Sequence, residues 1–382
     1  MSATLKEIAL LFLKLGTLGF GGPAAHIAMM EDEVVTRRRW ISQDEFLDLL
    51  GVTNLIPGPN STEMAIHIGL RRGGWKGLVV AGACFILPAV LITLLFAHLY
   101  TAYGSTPQAG PLIAGIHAGV LAVIAAAVIR IGKPLLKKSF MILLGSMALA
   151  LNLFGFDEIL ILFGAGAVGF LWKYTQRTGG NRLTFLLPLS ALNIPSLISW
   201  LGTGVAAGGA TLSGLGFYFL KIGFVLYGSG YVLFAFLESG LVDARQWITQ
   251  SQLLDAIAVG QVTPGPILSS ATFLGYVLMG FPGAVVATTG IFLPSFLLVL
   301  AVSPLVPKLR SSALAGGFLD GVTAASLGLM LAVTIVLAST ALTNVVSWSI
   351  FILAGLGIVF RNLNVLWIVA GSALIGWITG LG

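Results

Sequence analysis

The sequence predicts an all-α polytopic membrane protein. It is expected to hold two inverted repeats of about five transmembrane helices, each with a re-entrant half-helix hairpin at a Pro-Gly-Pro. Three observations carry this expectation. Hydrophobic residues make up 57% of the 382 and charged residues 9%, with a mean hydropathy of +1.00, whereas a soluble domain carries roughly 25% charged residues. Apolar stretches of the ~20 residues needed to cross a bilayer recur along the chain. The chain also repeats itself at one offset of 207 residues: Phe12-Leu13-Lys14 and Gly16 return as Phe219-Leu220-Lys221 and Gly223, Gly21 as Gly228, Glu31 as Glu238, Arg38 as Arg245, Trp40-Ile41 and Gln43 as Trp247-Ile248 and Gln250, and Pro57-Gly58-Pro59 as Pro264-Gly265-Pro266. A duplicated hydrophobic unit whose interruptions match is the mark of a secondary transporter, and the interruptions point to its substrate site.

In chain order, 4–30 reads as a first span with a break at Gly19-Phe20-Gly21-Gly22-Pro23. Residues 44–56 and 60–70 are short helical patterns meeting at Pro57-Gly58-Pro59. At ~1.5 Å per residue neither crosses ~30 Å of hydrocarbon, so together they read as a hairpin that dips in and returns. Spans follow at 75–99 and 111–131, then the shorter pair 138–153 and 156–173. The second half repeats the plan: 209–237 broken at Gly228-Ser229-Gly230, a hairpin of 251–263 and 267–279, spans 283–303 and 314–338, and the pair 343–360 with 363–381. The expected units are a first repeat at 1–178, a linker at 179–208 and an inverted second repeat at 209–382. Residues 183–206 are apolar, but Pro188 and Pro195 interrupt them, and they read as interfacial.

Charge sets the orientation. The first half's basic residues, among them Arg37, Arg38, Arg39, Arg71, Arg72, Lys76, Lys133, Lys137, Lys138 and Lys173, fall on one side if the hairpin does not cross, while loops 100–110 and 152–158 hold no Lys or Arg. In the second half the pattern flips, with Lys308, Arg310 and Arg361 in the loops whose counterparts were bare. The positive-inside rule then places both termini outside and the linker inside.

Several classes drop out. The single cysteine, Cys84, excludes disulfides and redox pairs, and the four histidines show no HExxH-like spacing. No cofactor or metal is expected. No GxxxxGK[ST] nucleotide loop appears, so a primary pump is disfavoured. The net charge of +6 reports short loops rather than a nucleic-acid face. Met1–Lys6 lacks the basic start and cleavage site of a removable signal peptide. An enzyme is not expected; the partners are the lipid bilayer and an inorganic oxyanion, with a homodimer left open.

The candidate substrate-binding set is Lys14, Gly21, Gly22, Pro57, Gly58, Pro59, Asn60 and Ser61, with Lys221, Gly228, Pro264, Gly265, Pro266, Ser269 and Ser270 in the second repeat. Each lysine lies about ten residues into its opening span, where a charge costs ~2.5–3.5 kcal/mol; the alternative is that each snorkels to an interface. A helix beginning at mid-depth turns free N–H groups and the positive end of its dipole toward whatever lies there. Unwound backbone inside a bilayer is tolerated only where it is buried or lines a cavity. This environment suits a small, multiply charged anion. Asn60 and Glu63 have capping-box spacing. Glu63 with His67, and His26, are candidates for handling a proton, against the reading of packed or capping groups. Glu31 with Arg38, and Glu238 with Arg245, are candidate gates or interfacial pairs beside Trp40 and Trp247.

With those residues in place, the chain resembles the chromate ion transporter (CHR) superfamily in its long, two-domain form. The motifs that carry this are Phe20-Gly21-Gly22-Pro23 followed by His26, Trp40-Ile41 leading to Glu45-Phe46, and Pro57-Gly58-Pro59 leading to Gly69. The second copy is diverged, with Gly228-Ser229-Gly230 in place of Gly-Gly-Pro, and Asn60-Ser61-Thr62 differs from the better-known chromate-resistance members. The resemblance implies export of chromate from the cytoplasm across the plasma membrane, with sulfate as the similar competitor. A passive anion channel, or a transporter of another oxyanion, is the alternative.

Overall fold

The computed structural model describes residues 4–177, 209–227, 230–303 and 313–381, and among them every regular element is helical. Helix α1 (Leu5–Leu18) begins at a capping box in which Thr4 and Glu7 cap each other's backbone amides. Its 14 residues reach only ~21 Å at ~1.5 Å each. The chain then reverses. Gly21 and Gly22 take φ of 104° and 80°, values open to glycine at little cost, and α2 (Pro23–Glu31), extended by a π turn over Asp32–Arg37, runs back along α1. Lys14 Nζ meets Glu33 Oε1 at 2.5 Å, and Glu7 lies within electrostatic reach of Arg38 and Arg72.

The stretch 4–30, expected to be a span, is therefore a re-entrant hairpin. Two successive positive-φ glycines turn the chain back instead of kinking it. The second copy does the same: α8 (Leu212–Val225) is followed by a 3-10 turn at Gly230–Val232, α9 (Leu233–Leu237) and a π turn at Glu238–Asp243. There the Tyr218 hydroxyl donates to the Phe236 carbonyl at 2.5 Å and joins the two arms.

A second hairpin follows in each half, as the sequence predicted. Helix α3 (Gln43–Thr53), capped by Ser42, leads to the Pro57-Gly58-Pro59 apex, and α4 (Asn60–Tyr103) descends from it over 60–72. At Gly73-Gly74 the helix breaks, with Gly74 at φ 60°, ψ −155°, and residues 75–103 then cross. In the second half, α10 (Gln250–Val262) and α11 (Ser270–Val302) repeat this, with the break at Met279-Gly280 and Gly280 at φ 63°, ψ −153°. Helices α5 (Ala109–Leu135), α6 (Ser139–Leu153) and α7 (Glu158–Arg177) complete the first half. Helices α12 (Ala313–Ala341), α13 (Val345–Arg361) and α14 (Val365–Thr379) complete the second.

Side-chain packing gives the relative direction of the halves. Gly82 on α4 lies against Phe296 on α11. Farther up α4, His98 Nδ1 and the Tyr276 hydroxyl are 3.0 Å apart, and the Tyr100 ring tilts against Phe273 at 5.2 Å. Tyr276 and Phe273 lie on the arm of α11 close to its break, and Phe296 lies far along the part beyond it. The crossing part of α11 thus begins near the end of α4 and finishes near its start: the two crossing segments are antiparallel and the halves inverted. Their remaining helices meet reciprocally, through residues small enough for close backbone approach: Gly115 of α5 against Ser372 and Gly376 of α14, and Gly321 of α12 against Ala165 and Gly166 of α7. The two hairpins of the first half share one core with Phe85, formed by Ile8, Leu11, Phe12, Leu15, Met30, Val34, Phe46 and Met64. Outward residues such as Leu91, Leu95, Phe217, Leu353 and Trp367 stay exposed, as a lipid-facing surface requires.

The faces follow from these contacts. Ile8 packs on Gly73 and Gly77, so the N-terminal end of α1 lies on the face of Arg71 and Arg72. Lys138 pairs with Asp320 at 3.4 Å, and Lys173 packs on Gly317, which puts them on that same face. By the positive-inside rule it is the cytoplasmic one. The expectation of an outer N-terminus is thus corrected, because the first hairpin returns without crossing. Thr379 lies on the outer side, as expected. The interfacial segment expected at 179–208 lies wholly outside the described residues.

Inversion has a direct test. In a Cys84→Ala background, Asp44→Cys and Ser251→Cys occupy matching exposed positions at the starts of α3 and α10, and each should react with an impermeant maleimide from a different side. Labelling of both from one side would overturn the inverted arrangement.

Candidate functional site

Four hairpin tips come together: Gly19–Gly22, Leu55–Pro59, Leu226-Tyr227 with Gly230, and Thr263–Ile267. Two backbone hydrogen bonds join them reciprocally. The Gly58 N–H donates to the Leu226 carbonyl at 2.6 Å, and the Gly265 N–H donates to the Gly19 carbonyl at 2.8 Å. Each Pro-Gly-Pro apex is thus fastened to the broken opening hairpin of the other repeat. Gly58 and Gly265 have φ of 137° and 89°, the region where a side chain is strained. Within its own hairpin, His26 Nε2 donates to the Gly19 carbonyl at 2.8 Å and its ring stands edge-on to Phe85 at 5.5 Å.

Beside the first and fourth tips lies a cavity of about 440 Å³, within the usual range for a small-ligand site. Gly19, Gly21, Gly22, Thr263, Gly265 and Ile267 form its inner end; Arg130 and Lys133 of α5 and Asn362–Asn364 carry it toward the cytoplasmic face. Gly22, the N-cap of α2, lies on its wall. Tyr231 lines it too, within interaction reach of Gln261 and Arg130. Gln261 Nε2 is buried and donates to no protein acceptor, which leaves a hydrogen-bond donor for a ligand. A second cavity of about 260 Å³ adjoins tips two and three, lined by Pro23, Asn54, Asn60, Tyr227, Gly230 and Thr323.

The predicted residues divide among these places. Gly21, Gly22 and Gly265 line the larger cavity, and Asn60 the smaller. Pro57, Gly58, Pro59, Pro264 and Pro266 build the second and fourth tips. Ser61, Ser269 and Ser270 are buried at the arms below these apices, with the Ser270 hydroxyl donating to the Ile267 carbonyl at 3.0 Å. Gly228 falls outside the described residues. Lys14 and Lys221 line neither cavity. Lys14 is paired with Glu33; Lys221, half-buried, feels Asp157 just before α7 and Glu158 at its first position.

The expected Glu31–Arg38 pairing does not form: Glu31 accepts from Gln43 at 2.7 Å, and Arg38 reaches Glu33 at 3.1 Å. Gly240 stands where the first repeat has Glu33, and Arg245 donates to its carbonyl at 3.0 Å, over the Tyr218 ring at 4.7 Å. No ion pair joins Glu238 to Arg245 among the described residues. The Asn60–Glu63 capping box is also absent: Pro59 is the N-cap with no side-chain cap, and Asn60 donates to Asn54 at 2.6 Å. Glu63 and His67 are both fully buried.

On the outer side polar links join α10 to its neighbours. Asp255 of α10 accepts from the Tyr100 hydroxyl at 2.8 Å and sits 2.7 Å from His117 Nε2 on α5, and Gln250 is bonded to Thr340 of α12. The sequence offered no hint of these partners, nor of Arg130, Gln261 and Tyr231 as cavity residues.

An inverted pair of helical repeats, with half-helix tips meeting beside a basic cavity, defines a multi-pass membrane transporter rather than an enzyme. The profile of the family described as Chromate transporter matches residues 6–170 and again 213–377, and the chain belongs to that family. It is 31% identical to a chromate transport protein of Cupriavidus metallidurans, over 98% of this chain and 92% of that one. It is 34% identical to a chromate transport protein of Pseudomonas aeruginosa, over 96% and 90%. An uncharacterised transporter of Methanocaldococcus jannaschii is 28% identical over 97% and 94%. No solved structure matches the chain.

Proposed function

We propose that this protein exports a tetrahedral oxyanion, chromate with sulfate as its analogue, by alternating access between two repeats at 1–178 and 209–382. The observation that carries this is the basic cavity reaching from the tips to the cytoplasmic face. A dianion there meets the full charge of Arg130, the donors of Gln261 and Tyr231, and the backbone of the tips at Gly22, the N-cap of α2. The anion enters from the cytoplasm beside Lys133, loses water against these groups and rests on the tips of Gly19–Gly22 and Gly265. The bonds of Asp255 to Tyr100 and His117 keep the outer side closed meanwhile. Because the repeats are inverted, exchanging the conformations of the two halves closes the inner cavity and opens its counterpart outward.

Flux into proteoliposomes tests this reading. Chromate should move saturably, sulfate should compete, and one anion should accumulate against its gradient when the other is supplied as counterflow. Flux that never exceeds equilibration makes the protein a channel. If chromate, sulfate, molybdate and phosphate all fail to move, the oxyanion reading is wrong.

A further inference from the structure

Below the second tip lies a polar cluster that the cavity chemistry leaves unused. Glu63 is 0% exposed, and both of its carboxylate oxygens are buried without a hydrogen-bond partner. Its neighbours are few. A Cβ on Gly58 would overlap Glu63 Oε1 and stand 2.7 Å from Ser295 Oγ, so carboxylate, apex and the Ser295 hydroxyl share one contact. Ser295 Oγ and Thr62 Oγ1 are themselves buried without partners. One turn along, His67 is 0% exposed and neither ring nitrogen has a partner. A further turn brings Arg71, whose guanidinium pairs with Glu45 at 2.6 Å on the cytoplasmic side.

Glu63, His67 and Arg71 thus form one stripe at four-residue spacing, running from the tip to the cytoplasmic face. The groups facing Glu63 from other elements are Ser295 of α11 and Tyr227 of the third tip, within electrostatic reach; neither is a cation. A bare carboxylate sealed from water without a cation costs far more than a neutral acid. The second repeat has Ser269 and Ser270 at the corresponding place, so the duplication supplies one such site rather than two. A sodium site would gather oxygen ligands around the cation; here a neighbouring imidazole extends the path, which suits a proton.

We infer that Glu63 is a proton-binding site whose loading and unloading is coupled to passage of the anion, with His67 relaying the proton toward the cytoplasm. The coupling lies in the shared contact: the carboxylate rests on Gly58, whose N–H holds the Leu226 carbonyl of the other repeat. An ionised Glu63 demands water or a donor and so disfavours the closed joint between tips two and three; a protonated one is compatible with it. This inference rests on the transport reading above.

The test uses the full chain in proteoliposomes with an internal pH-sensitive dye and chromate as the probe. Chromate flux in the wild type should move protons and respond to an imposed pH gradient, and replacing sodium by choline should change nothing. Glu63→Gln should lose at least tenfold of the gradient-driven flux and its dye signal, while keeping measurable chromate–chromate exchange without a gradient. Glu63→Asp should retain proton movement, and His67→Asn should slow it. Wild-type chromate flux with a silent dye, flux that follows sodium, or coupling intact in Glu63→Gln each overturns the inference and leaves the transport reading standing. Glu63→Gln protein that inserts and yet loses exchange and coupling together would make the residue structural and overturn it as well. No chromate movement in the wild type defeats both.

Discussion

Gly58→Leu and Gly265→Leu should each abolish chromate transport, by at least a hundredfold, while the protein remains inserted. Both positions hold positive φ, which costs a side-chain-bearing residue roughly 1–2 kcal/mol. At Gly58 the added Cβ would also collide with Glu63 and Ser295, and at Gly265 it would press on Ala89 Cβ at 3.1 Å. Each change pries one apex from the other repeat's opening hairpin. Because the two bonds are equivalent, the two losses should be comparable even though the cavity adjoins only one of them. Gly265→Ala, which meets less crowding, should lose transport only in part. Membrane content and thermal unfolding in detergent, measured beside flux, separate this outcome from failure to fold. Wild-type flux in either leucine variant would show that the tips are inert scaffolding.

Arg130→Gln should raise the half-saturation concentration for chromate at least tenfold, or roughly 1.4 kcal/mol. It brings a full positive charge to the cavity beside Tyr231 and Gln261, and hydrogen bonds to charged groups contribute ~1.5–3 kcal/mol. Arg130→Lys should recover part of the loss, since a compact ammonium cannot present the guanidinium's planar fork. Arg130 is exposed into the cavity, so stability should change little. Lys14→Gln is the informative contrast. Its partner is Glu33, so its effect should appear in maximal rate and stability more than in half-saturation. Equal half-saturation in wild type and Arg130→Gln would remove the cavity as the binding site; a larger affinity loss in Lys14→Gln would return the lysines to that role.

Much of this architecture is legible in the sequence because membranes punish irregular backbone. The hairpin predicted at 44–56 and 60–70 forms over 43–53 and 60–72, since Pro-Gly-Pro stops one helix and starts another. Each crossing helix lies where its apolar run is. The reversal at Gly21-Gly22 is not legible in the same way, because an apolar run reads alike whether the chain continues or folds back. That reversal alone brings Glu33 to Lys14, nineteen residues away. Without it, Lys14 reads as an unpaired charge, and the outer N-terminus follows from counting one crossing too many. In the sequence Arg130 is one more basic residue at the end of an apolar run, like those that set the orientation. Its place in the cavity depends on tips contributed by four distant segments, and periodicity carries no trace of that.

The reciprocal bonds between apices and breaks have a consequence for the origin of such a chain. The first half of the molecule, inserted alone, would leave the Gly58 amide without its Leu226 partner in the interior of the bilayer, where an unmet group costs several kcal/mol. Two copies entering the membrane the same way up could not reproduce the antiparallel meeting of α4 and α11. A single unit of this kind could complete such bonds only by pairing with an upside-down copy of itself. Joined in one chain, the two copies need not serve both roles, and one carries Glu33 and Glu63 where the other carries Gly240 and Ser270.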